Sequence, residues 1–235
     1  EESFWEPVLM ETKGFVSQFG NLTGIRLSKQ KKRIEVVPYL AGKNFLEDGL
    51  NSDPYWEKNN LSGNLGIDFK IGVGPNFTLT GTIFPDFGQV EADPANLNLS
   101  AFETFFEERR PFFLEGTDIF QFGKTRSFSS GGSNLFYSRR IGRKPRGYIN
   151  EENTQFEDYP SQTDIISALK FSGKTKSGFS IGILDAITKE EKATYIDSLG
   201  NEKTQPIEPF SNSLVLRLKK DMDDGKVVLG SFMTH

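Results

Sequence analysis

The chain of 235 residues contains no cysteine. A disulfide framework, a thiolate nucleophile, a zinc ribbon and an iron–sulfur site are therefore excluded. Histidine is almost as scarce, since the single copy is the last residue, His235. A Ser–His–Asp triad, an H-E-x-x-H zinc motif and most histidine-built metal sites fall with it. No stretch of about 18 apolar residues occurs, so no transmembrane helix is expected. An excess of basic charge is missing too. Lys and Arg number 28 against 32 Asp and Glu, and the net charge is −4. A nucleic-acid partner requires the opposite, a basic face. The opening Glu1-Glu2-Ser3 is no signal peptide, so the chain reads as a mature product or a piece of something longer.

What is present is an unusual pairing. Phe occurs 22 times and Gly 23 times, yet only 36% of residues are hydrophobic and the mean hydropathy is −0.45. Abundant aromatics and glycine at low hydropathy suit a β-barrel with one apolar and one polar face, because alternating strands escape a hydropathy plot.

The alternation is plainest over Asn64–Val73. Leu65, Ile67, Phe69, Ile71 and Val73 are apolar, and every residue between them is polar or glycine. A Gly74-Pro75-Asn76 turn leads into a second strand with Phe77, Leu79 and Ile83 on one face and Thr78, Thr80 and Thr82 on the other. Gly81 falls on the apolar face, as at a bend or a close contact. Weaker hairpins are expected at Ile25–Ser28 with Arg33–Tyr39, at Ile165–Ser172 with Phe179–Ala186, and at Ser213–Lys219 with Lys226–Thr234. The expectation is an all-β fold: an antiparallel transmembrane β-barrel, incomplete, with about eight strands present. Short turns close the hairpins. Long polar connections join them at Ala41–Gly63, Phe87–Asp164 and Ile187–Asn212. If the amino terminus is periplasmic and Ile25 opens the first strand, the short turns lie outside, against the usual rule. An earlier strand within Gly14–Gly20 would remove the conflict. A soluble β-sandwich shows the same alternation and is the competing reading.

Residues 87–163 are too long for an ordinary loop. Asp93-Pro94 reads as a helix start and Ser100-x-x-Glu103 as a capping box. Phe102, Phe105 and Phe106 follow at helical spacing, and Pro111 is expected to end the helix. The segment is read as a helix-containing, plug-like insertion in or across the barrel. Its charges form the candidate plug and lumen network: Asp86, Glu91, Asp93, Glu103, Glu107, Arg109, Arg110, Glu115, Arg139, Arg140 and Arg143. Arginine suits bidentate pairing with carboxylates away from bulk water. Salt bridges that anchor the insertion to the wall are the structural alternative to a lined path. Asp86, Glu91 and Asp93 lack EF-hand spacing, and no metal is expected there. Gly72-x-Gly74 is a hairpin turn with no helix after it, so nothing implies a nucleotide or another cofactor.

Three strings make the sequence recognisable. One is Ile83-Phe84-Pro85-Asp86-Phe87-Gly88-Gln89-Val90-Glu91-Ala92-Asp93-Pro94, followed by Asn98-Leu99-Ser100-Ala101-Phe102-Glu103-Thr104-Phe105-Phe106. The others are Glu108-Arg109-Arg110-Pro111-Phe112-Phe113-Leu114-Glu115-Gly116 and Leu135-Phe136-Tyr137-Ser138-Arg139-Arg140-Ile141-Gly142-Arg143. Together with Gly14–Gly20 and Val37-Pro38-Tyr39, they resemble domain-of-unknown-function family 5916, a barrel family of Gram-negative bacteria, chiefly Bacteroidota. The resemblance covers essentially the whole chain. It implies an outer-membrane location, outer-membrane lipid as a partner, and further strands beyond His235. It also implies a family-9 carbohydrate-binding-like module ahead of the barrel in many members, and these 235 residues contain no such module.

Three functions follow as expectations. The first is solute passage through a plugged barrel. The second is a scaffold for an outer-membrane lipoprotein or a secretion or assembly complex, with the acidic loop Glu47–Glu57, Tyr55 and Trp56 as a contact surface. The alternative is a glycan-processing or carbohydrate-binding role, for which Glu103, Glu107 and Glu115 are the available acids. Carboxyls beside arginine are poor general acids, and no catalytic residue is assigned.

Overall fold

The computed structural model divides the chain into Glu1–Lys31 and Lys32–His235. It describes Gly24 in the first unit and residues 33–46, 53–57, 59–86, 106–120, 136–222 and 227–235 in the second. All that follows concerns the second unit.

The described residues form an all-β, antiparallel structure. The strands are β1 (Ile34–Leu46), β2 (Asn59–Val73), β3 (Phe77–Ile83), β4 (Phe156–Asp158), β5 (Ile165–Lys174), β6 (Phe179–Thr188), β7 (Glu191–Ile196), β8 (Glu202–Glu208), β9 (Ser211–Met222) and β10 (Val227–Thr234). Seven of them make one sheet in the order β1-β2-β3-β5-β6-β9-β10, and the other three make a small sheet in the order β4-β7-β8. The large sheet is a meander with β1 and β10 at its edges. It does not close among the described residues.

Three of the expected hairpins contain strands of this sheet in sequence register: β2 with β3, β5 with β6, and β9 with β10. The arm expected at Ile25–Ser28 lies outside the described residues, as does Gly14–Gly20. Its partner Arg33–Tyr39 is the start of the longer β1, which pairs with β2 from Ile34↔Ile71 to Leu46↔Asn59. The connection expected over Ala41–Gly63 is therefore shorter at both ends. The stretch Ile187–Asn212 is not a plain loop, because it carries β7 and β8. The tight connections 74–76 and 175–178 lie at one end of the large sheet, the end at which Met222 of β9 pairs with Val227 of β10. The long ones lie at the other. β3 pairs directly with β5, and the described residues between them add no strand to the large sheet.

Register puts two contrasting surfaces on this sheet. One face carries Asp68 and Lys70 opposite Thr82 and Thr80, then Ala168 and Lys170, Leu184 and Ala186, Val215 and Arg217. The helical turns α1 (Pro111–Leu114) and α2 (Thr117–Phe120) pack here, and Phe112, Phe113 and Phe120 join Ala168, Leu184, Ala186 and Val215 in the buried cluster. A single four-residue turn does not hold itself together in water. Burying each phenyl ring contributes about 2 kcal/mol and supplies what the short helices lack. The rings of Phe112 and Phe113 meet edge to face, with centroids 5.0 Å apart. The opposite face carries Leu40, Leu65, Ile67, Leu169, Ile183, Leu218 and Leu229, all of them exposed. Leu40 is 80% exposed and Leu65 66%. Gly81 sits on this face between Phe69 and Leu169, whose side chains occupy the space a Cβ would need, so its role is the close contact.

The expected helix over 93–110 is corrected at its end. Residues 106–110 are not helical, and Pro111 opens α1 at its first position. The restriction behind the expectation is still obeyed, because Arg110 is extended (φ −71°, ψ 122°). It serves as the N-cap of a new turn, where the missing proline N–H costs nothing. Residues 87–105 lie outside the described residues.

Candidate functional site

The polar face of the large sheet and the chain that covers it form the candidate site. Its centre is Lys170 on β5, 1% exposed. Its ammonium donates to the carbonyl oxygens of Phe112 and Glu115 and stands 4.8 Å from the centroid of the Phe112 ring. The Lys70 ammonium on β2 pairs with the Glu115 carboxylate. Two lysines of the large sheet thus grip one helical turn, by its backbone and by the Glu115 carboxylate. A buried ammonium is expensive unless its protons are all directed at acceptors, and α1 supplies them through its free C-terminal carbonyls.

The second support is Arg110, also 1% exposed. Its Nε and Nη2 donate to the two oxygens of Glu108, each at 2.8 Å. Nη1 donates to Ile141 O at 2.6 Å and Nη2 also to Ser138 O at 2.8 Å. The guanidinium lies 4.3 Å from the centroid of Phe113. Ser138 Oγ donates to Glu108 Oε2. Burial alone would push the Glu108 carboxyl up. The Arg110 side chain, Ser138 and the Arg110 amide together outweigh it and hold the carboxyl below its usual range. This fork-to-fork pair fastens the chain before α1 to the 3₁₀ turn Ser138–Arg140.

The third support lies where β3 ends. Phe84 has φ +49°, a left-handed conformation rare for a bulky residue. Its carbonyl accepts from Tyr39 Oη and Asn64 Nδ2, both at 3.2 Å, and its N–H donates to Ile166 O at 2.9 Å. A side chain at Gly66 would collide with the Tyr39 ring and Phe84 O, so this bend needs glycine there. Two residues on, Asp86 pairs with Lys43 Nζ at 2.8 Å. A cavity of about 500 Å³ opens beside this pair.

The expected charges therefore occupy separate supports. Asp86, Arg110 and Glu115 hold the three contacts above. Arg143 pairs with Glu208 of β8 at 3.0 Å. Arg140 lies over Tyr137 at 6.0 Å, and Arg139 is half-buried in the same turn. Glu107 and Arg109 are exposed. Glu91, Asp93 and Glu103 lie outside the described residues. Sequence reading counted Glu108 among the carboxylates of the insertion without giving it a site role, and passed over Lys43, Lys70 and Lys170. The last three occupy polar positions of alternating strands, where a lysine reads as solvated. Glu108 had a usable signal, a carboxylate two residues before an arginine and proline.

Compared with known proteins, residues 31–228 match the model of a family described as a domain of unknown function, DUF5916. The chain belongs to this family. Its match spans β1 to the start of β10 and every support described above. No curated protein and no solved structure matches the chain.

Proposed function

We propose that this member of the family forms wall strands of an outer-membrane β-barrel, that the chain around α1 and α2 is its internal plug, and that the barrel serves solute passage. The observation that carries this reading is the inversion of the large sheet. Its uncovered face is apolar at most positions, with Asp185 and Lys220 among exposed leucines and isoleucines, and its covered face bears Lys70, Lys170 and Arg217 beside the buried cluster under α1 and α2. In water such a face invites aggregation, whereas in a bilayer it is the face that meets lipid. A ten-residue strand such as β6 rises about 33 Å. Tilted by about 40°, it spans about 25 Å, the height of the apolar band of these barrels. Tight turns at one end and long connections at the other fit the same architecture.

The test is electrophoretic mobility of the native, detergent-extracted protein, unboiled against boiled, followed by conductance in planar bilayers. A heat-dependent shift, and conductance that rises when Lys70→Met and Lys170→Met loosen α1, are expected. A water-soluble protein without a shift sinks the wall reading. A folded barrel that stays silent with both lysines replaced sinks solute passage. The scaffold reading draws on one observation, the β4-β7-β8 sheet at the long-connection end, where Tyr148 and Leu199 are exposed. Co-purification of a stoichiometric lipoprotein would favour it.

A further inference from the structure

The cavity beside Lys43 and Asp86 belongs to none of the anchoring contacts around α1, and it stands whether or not the barrel conducts. We infer that it is a binding site for a neutral polyhydroxylated ligand, a mono- or oligosaccharide. At about 500 Å³ it falls within the ordinary range of small-molecule pockets. It lies at the long-connection end of the polar face, between the ends of β1, β2 and β3 and the start of β5.

Three properties of its lining define the ligand. First, its charges are already matched. Lys43 pairs with Asp86 at 2.8 Å on one wall and Lys189 with Asp164 at 3.8 Å on the other. An ionic ligand would have to break one of these pairs and gains no net field, which selects against it. A hydroxyl both donates and accepts, so it can bond a carboxylate or an ammonium of these pairs without breaking either.

Second, the lining keeps neutral polar groups in reserve. Gln162 is half-buried and its amide has no protein partner among the described residues. Asn64 spends its Nδ2 on Phe84 O and leaves its carbonyl oxygen as an acceptor. Ser62 adds a hydroxyl at the rim. Side-chain amides and hydroxyls offer both donor and acceptor, which matches a ligand whose own groups are both.

Third, the rim carries a flat apolar surface held out at a conformational cost. The Phe84 side chain is 51% exposed, and its backbone is kept at φ +49° by the bonds from Tyr39 and Asn64. Strain of this kind persists only where the surroundings impose it. The electron-rich face of a phenyl ring attracts the C–H face of a pyranose. An aromatic plate beside amides, hydroxyls and self-neutralised ion pairs is a sugar site by chemistry.

The experiment is titration of the native protein, folded in detergent, followed by saturation-transfer NMR and calorimetry. The probes are maltose, cellobiose and chitobiose, with glutamate and inorganic phosphate as ionic comparators. Binding of at least one disaccharide with Kd near about 1 mM or tighter is expected. Gln162→Leu and, separately, Phe84→Leu should each weaken it about tenfold, with the heat-dependent gel shift of the folded protein retained. Gln162 makes no bond that the fold needs, so this variant reports on the site even if Phe84→Leu misfolds. Failure of all three disaccharides to bind overturns the inference. So does sugar binding that Gln162→Leu leaves unchanged, and so does tighter binding of glutamate or phosphate than of any sugar. A silent barrel that still binds sugar overturns solute passage alone, and a conducting barrel that binds none overturns this site alone.

Discussion

The two sheets of this protein solve opposite problems with the same backbone. In β7 and β8, Ala193, Tyr195 and Ile207 are buried, and Lys192, Glu202, Lys203 and Thr204 are exposed. The Lys203 ammonium bridges Glu151 and Asp197 at 3.1 and 3.0 Å, and Tyr195 Oη donates to Glu151 at 2.7 Å. This is how a sheet meets water. In β2, β5, β6 and β9 the order is reversed. Leu65, Leu169, Ile183 and Leu218 face out, and Lys70, Lys170 and Arg217 face the covered side. One chain thus carries two opposite phases of burial, and the long connections separate them. The difference teaches that alternation alone fixes strand geometry, whereas which phase of it is covered decides the medium.

The sharpest way to break this comparison is a charge placed on each exposed face. Ile183 lies mid-strand in β6, between Phe171 and Leu216. If that face meets lipid, Ile183→Arg costs about 2–4 kcal/mol of folding free energy in bilayers. Thr204→Arg on β8 should stay within about 0.5 kcal/mol, as surface changes in water do. Urea titration in phospholipid vesicles measures both. Equal small effects would return the large sheet to water.

Next in size is the contact between Lys170 and α1. Lys170→Met keeps the length of the side chain and removes the ammonium that holds Phe112 O and Glu115 O. Two carbonyls lose their donor in a dry site, at about 2 kcal/mol. That loss should fall on the segment and spare the sheet. Limited proteolysis is expected to cut within residues 106–120, with the heat-dependent gel shift unchanged. Loss of the shift together with the cut would mean that α1 is part of the wall's own core.

These contrasts were unequally legible in the sequence. The β2–β3 hairpin declares itself because each apolar residue lies two from the next, and a one-residue slip would invert its faces. The β7–β8 pair does not. Glu191–Ile196 and Glu202–Glu208 are short and polar, and the latter contains Pro206. Both have the composition of a loop. They are strands because the chain turns at Asp197, whose Oδ1 accepts from the amides of Leu199 and Asn201 at 2.9 Å, and because β4 lies alongside. Pro111 was legible as a boundary, but its sense was not. The same restriction on Arg110 serves an end or a beginning, and only packing of Phe112 and Phe113 chooses. Among the site charges, the arginines stood out because they cluster, and the lysines did not. A lysine at a polar strand position looks alike in the sequence whether it faces water or the carbonyls of a helical turn.

A smaller effect separates the two regions by pH. Glu108 ionises more readily in the folded protein than in the unfolded chain, because Arg110 and Ser138 bond its charged form. Its contribution is therefore complete above the ordinary carboxylate value and is lost as pH falls through its lowered value. Glu108→Gln should cost about 1.5 kcal/mol at neutral pH and flatten the acid limb of stability. Hydrogen exchange at Arg110 and Ile141, followed against pH, checks both. An unchanged acid limb in the variant would assign the loss to another carboxyl.

The smallest effect belongs to the water-facing sheet. Asp197 accepts from the amides of Asn201 and Leu199 and pairs with Lys203, and these contacts hold its carboxyl down to about 2. The Asn201 amide contributes most, and among the groups that lower the value Lys203 comes next. By the same sign rule, its support for the β7–β8 turn is complete above the ordinary aspartate value and disappears only as pH falls through about 2. Lys203→Met should raise the Asp197 value but leave it below the ordinary aspartate value, because the Asn201 amide remains, and should leave the large sheet untouched. Carboxyl-carbon NMR titration of Asp197 reads this directly. A titration near the ordinary aspartate value in the native protein would show that the turn is open in solution. The contrast between a water-built hairpin and the inverted sheet beside it would then have to rest on the exposed faces alone.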